Sequence, residues 1–103
     1  MKLNDFMQLS GCNMALKGYD YLKSAIEIRM ENQDMTVQNV MHQVAERKNR
    51  TFWSVKQSID RTIQTNYPDM DKGLKDKLFR NKESVTTGEY IKVVAYALKN
   101  NLI

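Results

Sequence analysis

Cysteine, histidine and proline are nearly absent from this 103-residue chain, since each occurs only once. The single cysteine, Cys12, excludes an internal disulfide, and one histidine leaves too few soft ligands for a metal cluster. No acid–base pair, nucleophile–base pair or phosphate-binding loop can be assembled from the motifs. We therefore expect no metal site and no cofactor, and we do not expect an enzyme.

Long apolar runs, internal repeats, low-complexity tracts and alternating strand patterns are missing too. No run approaches the roughly 20 apolar residues that a membrane span requires, and no signal peptide opens the chain. These features predict a protein of the reducing cytoplasm without a membrane partner. With 42% hydrophobic and 27% charged residues, the chain is expected to form one folded domain over residues 1–103.

Apolar residues recur at helical spacing in six segments, which predicts an all-α domain. The segments are residues 3–9, about 15–31, 36–46, 52–67, 69 or 71 to 80, and 90–102. The only proline, Pro68, disfavours helix at the residue before it, so the fourth helix should end near Tyr67. The last helix is expected to carry its apolar face as far as Leu102.

Local signals predict where several of these helices begin and end. Gly11 is a candidate C-cap of the first helix, and Thr36 a candidate N-cap of the third. Thr86 and Glu89 have the Thr-x-x-Glu spacing of a capping box at the start of the last helix. Gly18, inside the second helix, costs helical stability and suggests a close approach to a neighbouring backbone.

Residues 36–67 have the sequence form of a helix-turn-helix, with a break at the polar residues 47–51. Ala45 is small where two crossing helices would touch, ten residues before Val55. Each helix has one apolar face at helical spacing. The two faces consist of Val37, Val40, Met41 and Val44, and of Phe52, Val55, Ile59, Ile63 and Tyr67.

The positive charge of the chain is concentrated in this motif. The net charge is +4, and residues 35–67 carry five basic side chains against two acidic ones. Residues 1–34, by contrast, carry four basic and five acidic side chains. A basic patch on a helix-turn-helix is where contacts to phosphates would be needed, which favours double-stranded DNA as the partner.

The outward side of the second motif helix offers side chains that could read bases. Residues near the start of a recognition helix reach base edges in the major groove. Gln57 can pair bidentately with adenine, and Lys56 can donate to guanine. The predicted base-reading residues are Trp53, Ser54, Lys56 and Gln57. The predicted phosphate contacts are Lys48, Arg50, Thr51 and Arg61, with the helix N-terminus.

Several of these residues also allow a different interpretation. Trp53 could instead fold back on the first motif helix as a core residue, and Lys48 and Arg50 could form only a solvated turn. Asp60 would be repelled by phosphate unless Lys56 or Arg61 neutralises it. The competing functional hypothesis is a helix-turn-helix that has become a protein–protein interaction module and no longer binds DNA.

Three blocks of the sequence together resemble one family. They are Lys-Gly-Tyr-Asp-Tyr-Leu-Lys-Ser-Ala-Ile at 17–26, Val44-Ala45 with Asn49, Thr51, Val55, Ile59 and Ile63, and Thr-Gly-Glu-Tyr-Ile at 87–91 with Val94 and Ala95. The chain resembles the C-terminal DNA-binding effector domain of the stage-zero sporulation response regulator of endospore-forming bacteria. The resemblance implies a six-helix fold whose fourth helix, about 52–67, enters the major groove. It also implies a head-to-tail pair on tandem sites and contact with the RNA polymerase sigma subunit.

The chain departs from this family at several positions. Ser54 and Gln57 stand where the family carries arginines, and Lys56 where it carries a glutamate. Lys48 replaces an aromatic residue in the turn, and the connector between the last two helices is shorter. No phosphoreceiver domain is recognisable in these 103 residues, so the chain is expected to be either a stand-alone protein or a fragment of a longer regulator.

Overall fold

Six α-helices and no strand make up the computed structural model, which describes residues 1–103. The predicted all-α class and helix number are therefore confirmed. The helices are α1 (Leu3–Leu9), α2 (Lys17–Glu31), α3 (Val37–Lys48), α4 (Phe52–Asn66), α5 (Lys72–Phe79) and α6 (Thr87–Lys99), with a single 3-10 turn at Tyr67–Asp69 between α4 and α5. None of these helices is long and apolar enough to cross a lipid bilayer.

Helix α2 lies at the centre of the fold and packs against α1, α3, α4 and α6. Its apolar residues occupy more than one side of the helix, which lets it bury surface against several neighbours at once. The buried members are Tyr21, Leu22, Ala25, Ile26 and Ile28. Because α2 touches both α4 and α6, it sets the position of the helix-turn-helix relative to the rest of the domain.

Gly18 explains how closely α2 and α4 approach each other. A Cβ atom at this position would lie 1.8 Å from Oγ1 of Thr62 and 2.8 Å from the carbonyl oxygen of Ser58, both on α4. No larger side chain fits without moving one helix. The close approach expected from the sequence is therefore confirmed, and it fixes the place where α4 crosses α2.

Four helices begin at a side-chain cap. The caps are Thr36 for α3, Thr51 for α4, Asp71 for α5 and Thr86 for α6, and each accepts a backbone N–H three residues later at 3.1 Å. The predicted capping box of α6 forms only in part, because the Glu89 carboxylate accepts a hydrogen bond from Lys82 Nζ at 2.8 Å instead. The C-cap of α1 is Ser10 rather than Gly11, and Gly11 follows it in the left-handed conformation, with a φ of 82°.

Several helix ends differ from the sequence prediction. Helix α2 begins at Lys17 rather than near residue 15, and α3 continues to Lys48, so the break between α3 and α4 is shorter than the predicted residues 47–51. Helix α6 spans Thr87–Lys99 rather than residues 90–102. Asn101 adopts the left-handed conformation with a φ of 54°, and the Leu102 N–H donates to the Ala97 carbonyl oxygen at 2.9 Å. This C-terminal turn takes Leu102 off the apolar face of α6 and leaves it 50% exposed. The prediction that Leu102 continues the apolar face of α6 was wrong.

Candidate DNA-binding surface

The turn between α3 and α4 consists of residues 49–51 and is stabilised at both ends. Asn49 adopts the left-handed conformation with a φ of 54°, which asparagine tolerates better than most residues. The Arg50 N–H donates to the Ala45 carbonyl oxygen at 2.9 Å, and the Thr51 hydroxyl oxygen accepts the Ser54 N–H. The chain therefore reverses within three residues, and α4 starts at a fixed angle to α3.

Apolar contacts hold the two helices together beneath the turn. Ala45 and Val55 are both buried, in agreement with the prediction that a small residue is needed where the helices cross. On the outer edge of the same contact, the ring of His42 stacks on Phe52 with centroids 4.1 Å apart. His42 is thus a helix-packing residue. Together these contacts hold one side of α4 against α3.

Trp53 lies on the surface rather than in the core. Its side chain is 67% exposed and touches the edge of the Phe52 ring at a centroid distance of 5.8 Å. The alternative that Trp53 folds back as a core residue was wrong. An indole that is mostly exposed beside a basic turn is available for contact with a partner.

The remaining exposed residues of α4 follow Trp53 along one side of the helix. They are Ser54, Gln57, Arg61, Gln64 and Thr65. The opposite side carries Val55, Ile59 and Ile63, which are almost completely buried. Three of the four predicted base-reading residues, with the predicted phosphate contact Arg61, thus occupy one continuous exposed surface.

Lys56, the fourth predicted base-reading residue, lies on the flank of α4. Its Nζ pairs with Oδ2 of Asp60 at 2.7 Å, and Asp60 Oδ1 accepts a hydrogen bond from the Thr87 hydroxyl of α6 at 2.5 Å. The Asp60 carboxylate is therefore neutralised by Lys56 and held against the first turn of α6. A carboxylate in this state repels phosphate much less than a free one would.

The cations around the turn divide into two groups. Lys48 is paired with Asp20 of α2, with Nζ and Oδ2 2.9 Å apart. Arg50 and Arg61 are exposed and take part in no ion pair. Arg50 also lines a shallow depression at the start of α4 with Asn49, Thr51 and Ser54. Two predicted phosphate contacts are thus unpaired, and one is shared with an acid.

Comparison with known families decides the identity of the domain. The family described as "Sporulation initiation factor Spo0A C terminal" matches residues 3–98, which is nearly the whole chain. The chain belongs to the Spo0A C-terminal family. This is a family of DNA-binding regulatory domains of sporulation rather than a family of enzymes. No curated protein matched the chain in a sequence search.

As a Spo0A C-terminal domain, the chain has contacts near its helix-turn-helix that sequence reasoning missed. Asp20, which pairs with Lys48, and Thr87, which holds Asp60, come from α2 and α6 and have no local signal linking them to the motif. The Lys56–Asp60 pair, four residues apart on one helix, could be found from spacing alone.

Cys12 takes no part in this surface of the Spo0A C-terminal domain. Burial raises the pKa of its thiol, and the hydrogen bond with Ser10 lowers it by less. A raised pKa keeps the thiol protonated near neutral pH, which makes it a poor nucleophile. No group of three or more metal-ligating side chains accompanies it.

Proposed function

We propose that this domain binds double-stranded DNA in a sequence-specific manner, with α4 in the major groove. The observation that supports this is the continuous exposed side of α4, where polar side chains and Trp53 follow a tight, basic turn. A helix presented in this way fits the width of the major groove. The first turns of α4 would then reach base edges, as in other helix-turn-helix proteins.

Four side chains are proposed to read bases. Gln57 would pair with adenine through its amide, and Ser54 would serve as either donor or acceptor. Trp53 would pack on a sugar or a thymine methyl group. Lys56 would donate to guanine while it remains beside Asp60, so its direction is restricted more than that of a free lysine.

Phosphate contacts are proposed for Arg50, Thr51, Arg61 and Lys48. Arg50 and Arg61 have no acidic partner, so their charges are fully available to the duplex. The Thr51 hydroxyl accepts the Ser54 N–H and still has its own proton to donate. Lys48 would have to exchange Asp20 for a phosphate or contact both, which makes its contribution smaller.

A salt titration with a random-sequence duplex tests DNA binding itself. Binding through phosphates should weaken steeply with salt, with a log–log slope of about −0.9 for each phosphate contacted. The second candidate, an interaction module that no longer binds DNA, is supported by the pairing of Lys48 and Lys56 with acids. Absence of salt-dependent binding would favour this second function and contradict the first.

Base reading is tested by selecting bound sequences from random DNA with the parent chain and with Gln57→Ala. The variant should lose about 1–3 kcal/mol of discrimination at one base pair and keep the other preferences. Gln8→Ala, which changes an exposed glutamine of α1, is the matched control and should leave all preferences unchanged. A Gln57→Ala variant with the parent's selected sequence would contradict the assignment of this residue.

Two further partners are proposed from the family resemblance. The domain would bind tandem sites as a head-to-tail pair, and it would touch the RNA polymerase sigma subunit. The head-to-tail pair is tested by comparing the affinity for duplexes that carry one selected site or two adjacent sites. If a pair forms, the second copy of the domain should bind more tightly than the first. Direct titration of the DNA-bound domain with purified sigma subunit tests the second, and no detectable binding would contradict it.

A further inference from the structure

A second surface of the molecule lies between α5, α6 and the last turn of α2. It is an open groove of about 610 Å³, within the range of ligand-binding clefts. Nine residues line it, and none belongs to α3, the turn or α4. The groove is therefore separate from every residue proposed above to contact DNA.

The floor of the groove is apolar and partly open to solvent. Its six hydrophobic residues are Leu78, Val93, Tyr96, Ala97, Leu102 and Ile103. Tyr96 is 58% exposed and Leu102 is 50% exposed, so two large apolar side chains stand at its edge. Exposed apolar side chains that gather on one surface mark a site of interaction, whereas scattered ones do not.

The other three residues that line the groove are all cationic. They are Arg29 of α2, Lys77 of α5 and Lys92 of α6, and no acidic side chain lines the groove with them. None of the three takes part in an ion pair. Arg29 is half-buried, and its Nη1 donates to the Met35 carbonyl oxygen, which holds the guanidinium in place without neutralising it.

We propose that this groove is the docking site for an acidic amphipathic helix of a partner protein. An apolar stripe on such a helix would cover Tyr96 and Leu102, and carboxylates beside the stripe would pair with the three cations. Helices commonly bind in this way, with apolar anchors in a groove and charges at its margins. Duplex DNA would satisfy the cations but has no apolar side chains for the floor.

The position of the groove allows a partner protein and DNA to bind the domain at the same time. The proposed DNA contacts lie on the turn and on the exposed side of α4, and the groove shares no residue with them. A partner held in the groove would therefore leave these residues accessible. This proposal does not depend on DNA binding, since the groove can be occupied whether or not α4 contacts a duplex.

The probe is a fluorescein-labelled synthetic helix with leucine at positions i, i+3, i+4 and i+7 and glutamate on either side. Its binding to the full chain is measured by fluorescence anisotropy, and the contact is mapped by methyl NMR shifts of Val93 and Leu78. A peptide of the same pattern with glutamine in place of glutamate is the first control. We expect the acidic peptide to bind roughly tenfold more tightly or better, since its charges complement the rim.

Charge reversal in the chain distinguishes peptide binding in the groove from nonspecific attraction of an acidic peptide to a basic protein. Lys77→Glu with Lys92→Glu should weaken peptide binding roughly tenfold or more. Lys72→Glu with Lys99→Glu makes the same change of net charge at exposed lysines outside the groove and should have much less effect. Tyr96→Ala, at an exposed position, should also weaken binding without unfolding the domain, as circular dichroism would verify.

Several outcomes would overturn the proposal. Equal binding of the acidic and glutamine peptides would do so, as would equal effects of the two double variants or NMR shifts confined to α4. Failure of the acidic peptide to bind at all would also reject it. Dimerisation that is abolished by Lys77→Glu with Lys92→Glu, seen by sedimentation, would show that a second copy of the chain occupies the groove instead.

Discussion

The two sides of α4 differ in what they contribute. One side is buried against α2 and α3 and carries Val55, Ile59 and Ile63. The other is exposed and carries Trp53, Ser54 and Gln57 at its start. The buried side determines how the helix is held, and the exposed side determines what it can recognise. Substitutions on the exposed side would therefore leave the fold intact, whereas substitutions on the buried side would not.

Between these two sides lies a flank that belongs to neither. Lys56 and Asp60 are half-buried there, and the Thr87 hydroxyl connects them to α6. Residues on the flank adjoin the exposed side of α4 and also take part in the contact between α4 and α6. Substitutions in the three zones should consequently differ in whether they change stability, DNA binding or both.

The largest effect is expected on the buried side. Val55→Asp would place a carboxylate among apolar side chains with no partner, at a cost of several kcal/mol, comparable to the whole stability of a small domain. Thermal unfolding by circular dichroism measures this. Gln57→Asp adds the same carboxylate on the exposed side and should cost less than about 1 kcal/mol. Similar melting temperatures for the two variants would contradict the distinction between the sides.

The contact between α2 and the buried side of α4 is tested at Gly18. Gly18→Ala places a methyl group 1.8 Å from Oγ1 of Thr62, so one helix must shift, and we expect a loss of about 1–3 kcal/mol. Gly88→Ala is the matched control on α6, where an added Cβ meets no atom within 4 Å. That change should stabilise the domain by less than about 1 kcal/mol, because alanine favours helix over glycine but Gly88 lies in the first turn of α6. Chemical denaturation should therefore show a lower free energy of unfolding for Gly18→Ala and a higher one for Gly88→Ala.

Substitutions at exposed cations are expected to change DNA binding without changing the stability of the domain. Arg50→Ala and Arg61→Ala should weaken binding to all duplexes alike and reduce the salt slope by about 1. Lys48→Ala should have a smaller effect, because Asp20 already shares its charge. Salt titrations of the three variants provide the comparison. A Lys48→Ala effect equal to that of Arg50→Ala would mean that the Lys48–Asp20 pair opens on the duplex.

Much of the fold could be predicted because its signals are local. Thr36 and Thr86 cap helices through hydrogen bonds within three residues, and Val55, Ile59 and Ile63 repeat at helical spacing. Leu102 was misplaced because its apolar spacing continues beyond the helix, whereas Asn101 in the left-handed conformation ends it. Periodicity alone does not show where the backbone leaves the helical conformation.

The candidate sites depend more on contacts between distant residues. Exposed positions of α4 follow from the same periodicity, so Ser54 and Gln57 could be assigned to one surface, whereas Trp53 could be placed either there or in the core. The pairing of Lys48 with Asp20 depends on how α2 crosses α3, which composition and spacing do not reveal. The same is true of the groove, where Arg29, Lys77 and Lys92 come from three different helices.

The smallest effect is expected on the flank of α4. Thr87→Val keeps the shape of the side chain but removes the hydroxyl that donates to Asp60, at a cost of about 1 kcal/mol in stability for a partly exposed hydrogen bond. Thr87→Ser keeps the hydroxyl and should restore the melting temperature. Thr65→Val, at an exposed position of α4 that lacks such a contact, is the control and should change it little.

The same variants connect the flank to recognition. Without the Thr87 hydroxyl, the Asp60 carboxylate is held by Lys56 alone and can rotate more freely. The lysine paired with it is then less restricted, so the base preference at the position that Lys56 reads should relax slightly. Selection from random DNA should show this change in Thr87→Val but not in Thr87→Ser or Thr65→Val. A loss of stability with unchanged base preference would assign Thr87 to packing alone, and the flank would then belong with the buried side of α4.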